Sequence, residues 1–405
     1  MDLFKKCKDY TAVKEVKDLG LYPYFHALES KQDIEVVMEG KRQIMIGSNN
    51  YLGLTGDPKI IKAGVETLKK FGSGVSGSRF LNGTLNLHVT LEEELAEFLH
   101  KEDCLTFASG FQSNLGIISA IAGRNDLVYC DRENHASIYD GIRLSFAKMI
   151  RYGHNDMEDL EKALQDSSPT KGKLIITDGV FSMSGDICKL DEIVKLAKKY
   201  GAKVMVDDAH GLGVLGTCGR GTAEYFGLED EVDIIMGTFS KSLASLGGYM
   251  AASKEVVDFV KHTSRPFIFS AAITPASAST ALEALRILKD DCDRPKRLLA
   301  LAAYMRDKLK GYNLPVGFNS IVPIIPIYTF SKLRTLIAVK MLYERGVYVN
   351  PVVPPAAPEG ECLIRTSYMA THTFELLDEA AEIINDVLSN LPMDDEKLME
   401  LLANE

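Results

Sequence analysis

The chain has 405 residues, 46% of them hydrophobic, and a formal net charge of −10. That length and apolar content can bury a substantial core and suit one large and one smaller lobe. The acidic balance argues against a general nucleic-acid or anionic-membrane surface, but a local pocket can still be positive and take an anionic substrate.

Residues 2–18 carry the charge pattern of an exposed helix that stops near Gly20. No apolar run of a signal peptide precedes it, and no stretch approaches the length of a membrane span. Residues 34–46 read as two strands around a Glu39-Gly40 turn. Pro58 to Phe71 is predicted as an amphipathic helix, with Asp57 at its start and Gly72 at its end, and Leu87 to His100 as another. Apolar runs then alternate with helical patterns, giving strand candidates at 104–108, 127–131, 148–152, 173–178, 203–207, 232–236 and 248–252. Near-continuous apolar strands separated by helices predict a mostly parallel sheet covered on both faces. Asn155-Asp-Met-Glu158 has the form of a capping box, and Pro275 to Lys289 reads as a long helix leading out of the large lobe. After Pro295 the pattern restarts with helices at about 296–311, 332–345 and 373–389 and short strands between. The expected α/β chain thus divides into an N-terminal segment (1–55), a large domain (56–292) and a small α+β domain (293–405), with a peripheral charged tail after Pro392.

The seven cysteines (7, 104, 130, 188, 218, 292 and 362) form no CxxC pair. Reduced thiols in a cytoplasmic protein are expected, with no disulfide or metal role. Gly72, Gly74 and Gly77 spell G-x-G-x-x-G, but a dinucleotide site needs a strand before the glycines and a helix after them. Here a helix precedes them, so the stretch reads as a loop shaping the active-site wall.

Two stretches carry chemistry. Asp233 to Gly248, DIIMGTFSKSLASLGG, is a short apolar strand followed by a lysine among hydroxyls and glycines. Val204 to His210, VMVDDAH, is a buried-type strand ending in two carboxylates and a histidine. An amine, a carboxylate and an imidazole at neighbouring strand ends can hold an aldehyde cofactor, with Lys241 forming the Schiff base. Successive strand residues face opposite ways, so only one of Asp207 and Asp208 can meet that cofactor. Ser109-Gly110-Phe111 lies between a strand and a helix start, where free N–H groups suit a phosphate; read locally, an ordinary strand–helix turn is the better reading.

VDDAH, GTFSKS and Asn134-His135-Ala-Ser137 together resemble the α-oxoamine synthases, pyridoxal-phosphate (PLP) enzymes of the aspartate-aminotransferase fold type. The resemblance runs from about Gly20 to about Leu391. It implies the fold-type-I architecture, PLP as cofactor, and condensation of an amino acid with an acyl-CoA with loss of carbon dioxide. It assigns Lys241 to the covalent linkage, Asp207 to the pyridine nitrogen, His210 to the phenolic oxygen, and His135 to stacking on the ring and orienting the substrate carboxylate. Gly110, Phe111, Thr238 and Ser240 fall on phosphate contacts, and Ser182 on a ring contact. Ser270 falls on a residue reaching the neighbouring subunit's phosphate, which implies a homodimer with shared sites. Asn50 and Arg365 fall on substrate contacts, Arg365 holding the substrate carboxylate. Some members carry a second arginine where this chain has Val353, so carboxylate handling differs from theirs. Ser240 before Lys241 and Gly83-Thr-Leu-Asn-Leu-His88 match the branch using L-serine and a long-chain acyl-CoA rather than those using glycine with acetyl-CoA, alanine or succinyl-CoA. A non-catalytic partner subunit would lack the lysine, and Lys241, Asp207 and His135 are all present. An aminotransferase is compatible with the fold alone.

Overall fold

The computed structural model describes residues 2–317 and 321–403. Its centre is a seven-stranded sheet built from β3 (Asp103–Phe107), β4 (Leu127–Asp131), β5 (Lys148–Tyr152), β6 (Lys173–Asp178), β7 (Lys203–Asp207), β8 (Ile234–Thr238) and β9 (Gly248–Ala252). Every strand candidate of the large lobe is present to within two residues. The spatial order is β3-β9-β8-β7-β6-β4-β5. β5, β4, β6, β7 and β8 run parallel, and β9 is antiparallel to both β8 and β3. The exception has a local cause: only residues 239–247 join β8 to β9, too short for the crossover that a parallel neighbour needs.

Burial follows the pattern expected of a covered sheet. β4, β8 and β9 are buried at every position. The helix Leu190–Tyr200 turns Leu190, Ile193, Val194 and Ala197 inward and ends on Gly201 at φ 65°, a left-handed position that glycine takes at no steric cost. Truncating Ile193 would cost about 2–5 kcal/mol by the usual large-to-small rule.

The remaining strands form two small sheets. β1 (Glu35–Met38) and β2 (Lys41–Met45) make the expected hairpin, with Glu39 and Gly40 both at positive φ. β2 also pairs with β11 (Val347–Tyr348), so the hairpin is continuous with the C-terminal half of the chain. β10 (Ile324–Phe330), β13 (Cys362–Ser367) and β12 (Asn350–Val352) form the other, with β13 in the middle. The helices Asp293–Gly311, Lys332–Glu344 and Phe374–Asn390 pack around these sheets.

Several expectations are corrected. Residues 2–18 hold two short exposed helices, Lys5–Lys8 and Ala12–Asp18. The capping box at Asn155–Glu158 is displaced: Asp156 is the N-cap, accepting from Asp159 N, while Asn155 N donates to Asp131 Oδ2. The C-terminal tail forms a helix, Asp395–Ala403, whose Leu398 is fully buried in the same hydrophobic cluster as the helices Lys332–Glu344 and Phe374–Asn390. Cys218 and Cys292 are joined in a disulfide, with Cα atoms 4.4 Å apart. It ties the loop after β7 to the junction between the helices Pro275–Asp290 and Asp293–Gly311. A separation of 74 residues leaves no local signature, so only folding brings the pair together. Such a cross-link typically stabilises by about 2–4 kcal/mol through the unfolded chain. Among the described residues no helix is long and apolar enough to cross a membrane.

Candidate active site

The carboxyl ends of the parallel strands converge on one edge of the large sheet, where open α/β sheets place their ligands. β3 leads to the helix Gly110–Ile121, β4 to the helix Ala136–Ser145, β6 ends at Asp178, β7 at Asp207 and β8 at Thr238. These ends enclose a cavity of ≈ 300 Å³ lined by, among others, Gly110, His135, Asp207, His210, Ser240 and Lys241. Phe111 and Thr238 line it as well.

Lys241 stands in the loop between β8 and β9, a turn closed by Phe239 N to Gly247 O at 3.0 Å and Ser245 N to Phe239 O at 2.9 Å. Ser242 Oγ anchors it by donating to Leu212 O at 2.7 Å. Burial in the cavity lowers the Lys241 amine from its ordinary value to about 8; Asp207 and Asp178 oppose that shift and Arg365 adds to it. A partly neutral amine near physiological pH is a nucleophile toward a carbonyl.

The two neighbouring aspartates part company. Asp207 lines the cavity; its Oδ1 accepts from Ala209 N at 3.1 Å and its Oδ2 from Asn114 Nδ2 at 2.7 Å. Asp208 faces away, accepting from Thr222 N at 2.8 Å and Thr222 Oγ1 at 2.6 Å, and holds the following loop. Asp178 is opposite Asp207 in the β6–β7 register. Burial, then the charge of Asp207, raises the Asp178 carboxyl well above its usual range.

Two histidines are aimed by hydrogen bonds. His210 Nδ1 lies 2.7 Å from Tyr51 OH, and Tyr51 OH accepts from an Arg365 Nη2 at 3.3 Å. Burial, then Lys241, Arg365 and His135, depresses His210 far below its ordinary value, which keeps it neutral. His135 caps the helix Ala136–Ser145, and Phe111 meets its ring edge-on at 6.2 Å.

An anion cradle completes the cavity. Ser109 Oγ caps the helix Gly110–Ile121 by accepting from Gln112 N at 3.2 Å, and the first-turn N–H groups of a helix have no partner within it. A Cβ on Gly110 would come within 2.9 Å of Thr238, and one on Gly248 within 2.4 Å of Ser113 Oγ. Only glycines let the helix start this close to β8 and β9. Thr238 Oγ1 is 2.9 Å from Ser240 Oγ and donates to Gly247 O at 2.9 Å, which places two hydroxyls beside those N–H groups.

Other expected site residues stand outside this lining. Arg365 is buried on the central strand β13, not a solvated edge, and donates to Ser182 O, to Asn49 Oδ1 at 3.0 Å and to Tyr51 OH. Ser182 thus joins through its backbone carbonyl. Asn50 turns its amide oxygen to Leu54 N at 3.1 Å and Thr55 N at 3.3 Å, and it is Asn49 that reaches Arg365. Ser270 Oγ donates to Ala271 O at 3.2 Å, away from this chain's own cavity. The G-x-G-x-x-G loop contributes nothing to the cavity lining; Gly77 O accepts from Ala272 N at 3.0 Å. Sequence reasoning missed Asn114, Asp178 and Tyr51. Asp178 had a readable signal, since it closes an apolar strand as Asp207 does; the other two had none.

The chain matches the family described as aminotransferase class I and II over residues 41–384. It belongs to that family of PLP enzymes, and within it to the α-oxoamine synthases. It is 51% identical to a serine palmitoyltransferase of Sphingobacterium spiritivorum, over 94% of this chain and 95% of that one. An 8-amino-7-oxononanoate synthase of Thermoanaerobacter pseudethanolicus is 42% identical, over 93% and 95%. Among solved structures, a serine palmitoyltransferase variant from S. paucimobilis with bound PLP-myriocin aldimine superposes with a TM-score of 0.93 at 36% identity, covering 96% of this chain and 98% of that one.

The residues present fit PLP. The glycine-gated helix N-terminus with Thr238 and Ser240 suits a phosphate, Asp207 suits a cationic ring nitrogen, neutral His210 an oxygen acceptor, and the depressed Lys241 amine an aldehyde.

Proposed function

We propose that this chain is a serine palmitoyltransferase, condensing L-serine with palmitoyl-CoA to give 3-ketodihydrosphinganine, CoA and carbon dioxide, the first step of sphingolipid synthesis. The observation that carries this reading is the 51% identity along 94% of the chain to a protein of that activity. Ser240 before Lys241 supports the same branch.

PLP supplies the electron sink when bound; the chain supplies placement and proton control. Lys241 Nζ would hold the cofactor and, once free of it, would take the proton from serine Cα. Asp207 keeps a proton on the ring nitrogen through its charge. His210 serves the phenolic oxygen from Nε2, because Tyr51 occupies Nδ1. The serine Cα then bonds to the thioester carbonyl carbon as the C–S bond breaks. CoA leaves as the thiol, the Cα–carboxylate bond breaks to release carbon dioxide, and Cα is reprotonated. Palmitoyl-CoA is a cytoplasmic thioester, so the reading includes a cytoplasmic site of action.

Arg365 is proposed to grip the serine carboxylate. Its Nε and Nη2 are engaged, while Nη1 makes no hydrogen bond among the described residues. One charge-assisted donor is worth about 1.5–3 kcal/mol, about ten- to a hundredfold in productive binding. The test is a panel of amino acids against acyl-CoA lengths, read as free CoA released. L-serine with palmitoyl-CoA should give the highest kcat/KM, and Arg365→Ala should weaken serine use far more than acyl-CoA affinity. A better rate with glycine and acetyl-CoA would keep the family and overturn the branch.

The active unit is proposed to be a homodimer in which Ser270 serves the partner's phosphate. Support comes from Ser270 lying off its own cavity beside Phe269, which is 75% exposed. Mixing Lys241→Ala with Ser270→Asp chains should produce hybrids with one intact site and restore activity that neither parent has. A monomer in sedimentation at assay concentration would refute this.

A further inference from the structure

We propose that Asn114 is a positioning residue: a single side-chain amide braces Asp207 and, through Ser137, fixes the tautomer of His135 so that Nε2–H faces the cavity. Asn114 lies fully buried on the helix Gly110–Ile121. Its Nδ2 is 2.7 Å from Asp207 Oδ2 and 2.8 Å from Ser137 Oγ, while its Oδ1 is buried without a hydrogen-bond partner. A flipped amide would set that oxygen against the acceptor-only carboxylate, so the orientation follows from Asp207.

The rest follows by counting protons. The two Nδ2 hydrogens go to Asp207 and to Ser137 Oγ. Ser137 Oγ accepts there, and His135 Nδ1 lies 2.7 Å from it. The backbone N–H of Ser137 also points at that nitrogen, at 3.3 Å, which makes Nδ1 the acceptor and directs the Ser137 O–H to it. Nδ1 therefore receives two donors and carries no proton itself. Burial lowers the His135 imidazole, which keeps it neutral. The one ring proton then sits on Nε2, which makes no hydrogen bond among the described residues. The opposite tautomer would present a lone pair to an incoming carboxylate. The orphaned Oδ1 shows that this asparagine is held by what it donates, since a buried unsatisfied acceptor is a cost. The consequence for substrate rests on the proposed function, with His135 orienting the amino-acid carboxylate as the family resemblance implies.

The experiment labels histidine with 15N and reads long-range 1H–15N correlations in the apo-protein, with His135 assigned through His135→Gln. Wild type should show the Nε2–H pattern at His135. Asn114→Leu, which keeps the bulk and removes the donors, should give a mixture of tautomers. It should also raise the serine KM about tenfold with less change in acyl-CoA affinity. Ser137→Ala should move both readouts the same way and Ser137→Thr should restore them, which covers the case of Asn114→Leu failing to fold. Nδ1–H in wild type, or wild-type tautomers in Asn114→Leu and Ser137→Ala, would overturn the proposal. A shifted tautomer without any effect on serine would uphold the network and count against the substrate reading alone.

Discussion

Lys241→Ala is expected to abolish turnover and the yellow cofactor absorbance while the protein stays folded. Loss of a positioned base alone typically costs about 10²–10⁴-fold, and here the covalent attachment goes as well. The fold should survive because the loop is held by Phe239, Ser245 and Gly247 backbone bonds and by Ser242 on Leu212, none of which uses Nζ. Borohydride reduction of the wild-type holoenzyme should leave a stable adduct on a peptide containing Lys241. Burial lowers this amine to about 8, and the neutral form is the one that attacks. Capture of PLP by the apo-protein should therefore quicken as pH rises through about 8. An adduct mapped to any other lysine would end the assignment.

Asp207→Asn should retain cofactor binding but lose most proton abstraction. An opposite charge beside a cationic group raises its pKa by about 1–3 units, so removing it should slow Cα–H exchange of serine by about ten- to a thousandfold. An amide can also keep only one of the two acceptor bonds that Asp207 makes, to Ala209 N and Asn114 Nδ2. Asp208→Asn is the internal control. Asp208 is bonded to Thr222 on the far side of the strand, so its loss should lower Tm and leave exchange nearly unchanged. Equal slowing in both variants would mean that the wrong face of β7 had been assigned. Measuring deuterium exchange at serine Cα without acyl-CoA separates this step from condensation.

Much of the molecule was legible in the chain itself. The inner strands of the large sheet announced themselves because a strand buried on both faces must be apolar throughout, whereas β5 at the edge buries only Tyr152. Asp57 and Gly72 marked the bounds of the helix Pro58–Phe71, with Asp57 Oδ1 on Lys59 N and Gly72 at φ 78°, because cap chemistry is local. Alternation along β7 dictated that Asp207 and Asp208 could not share a role. The motif residues Lys241, Asp207, His135 and His210 do meet in one cavity, since each ends or follows a strand whose direction the βα pattern sets.

What folding alone decided involves partners distant in sequence. Nothing near Asn114 reveals that it bridges Asp207 and Ser137, because those bonds span 93 and 23 residues. The same holds for Tyr51 on His210, 159 residues apart, and for Cys218 on Cys292. Asn49 rather than Asn50 reaches Arg365 because the loop's twist, which composition does not encode, turns Asn50 back onto Leu54 and Thr55. Local periodicity thus determined which strands exist and which residues stand at their ends. The tautomers and bracing of those residues were set by side chains that only the packed sheet and its helices bring within hydrogen-bonding reach.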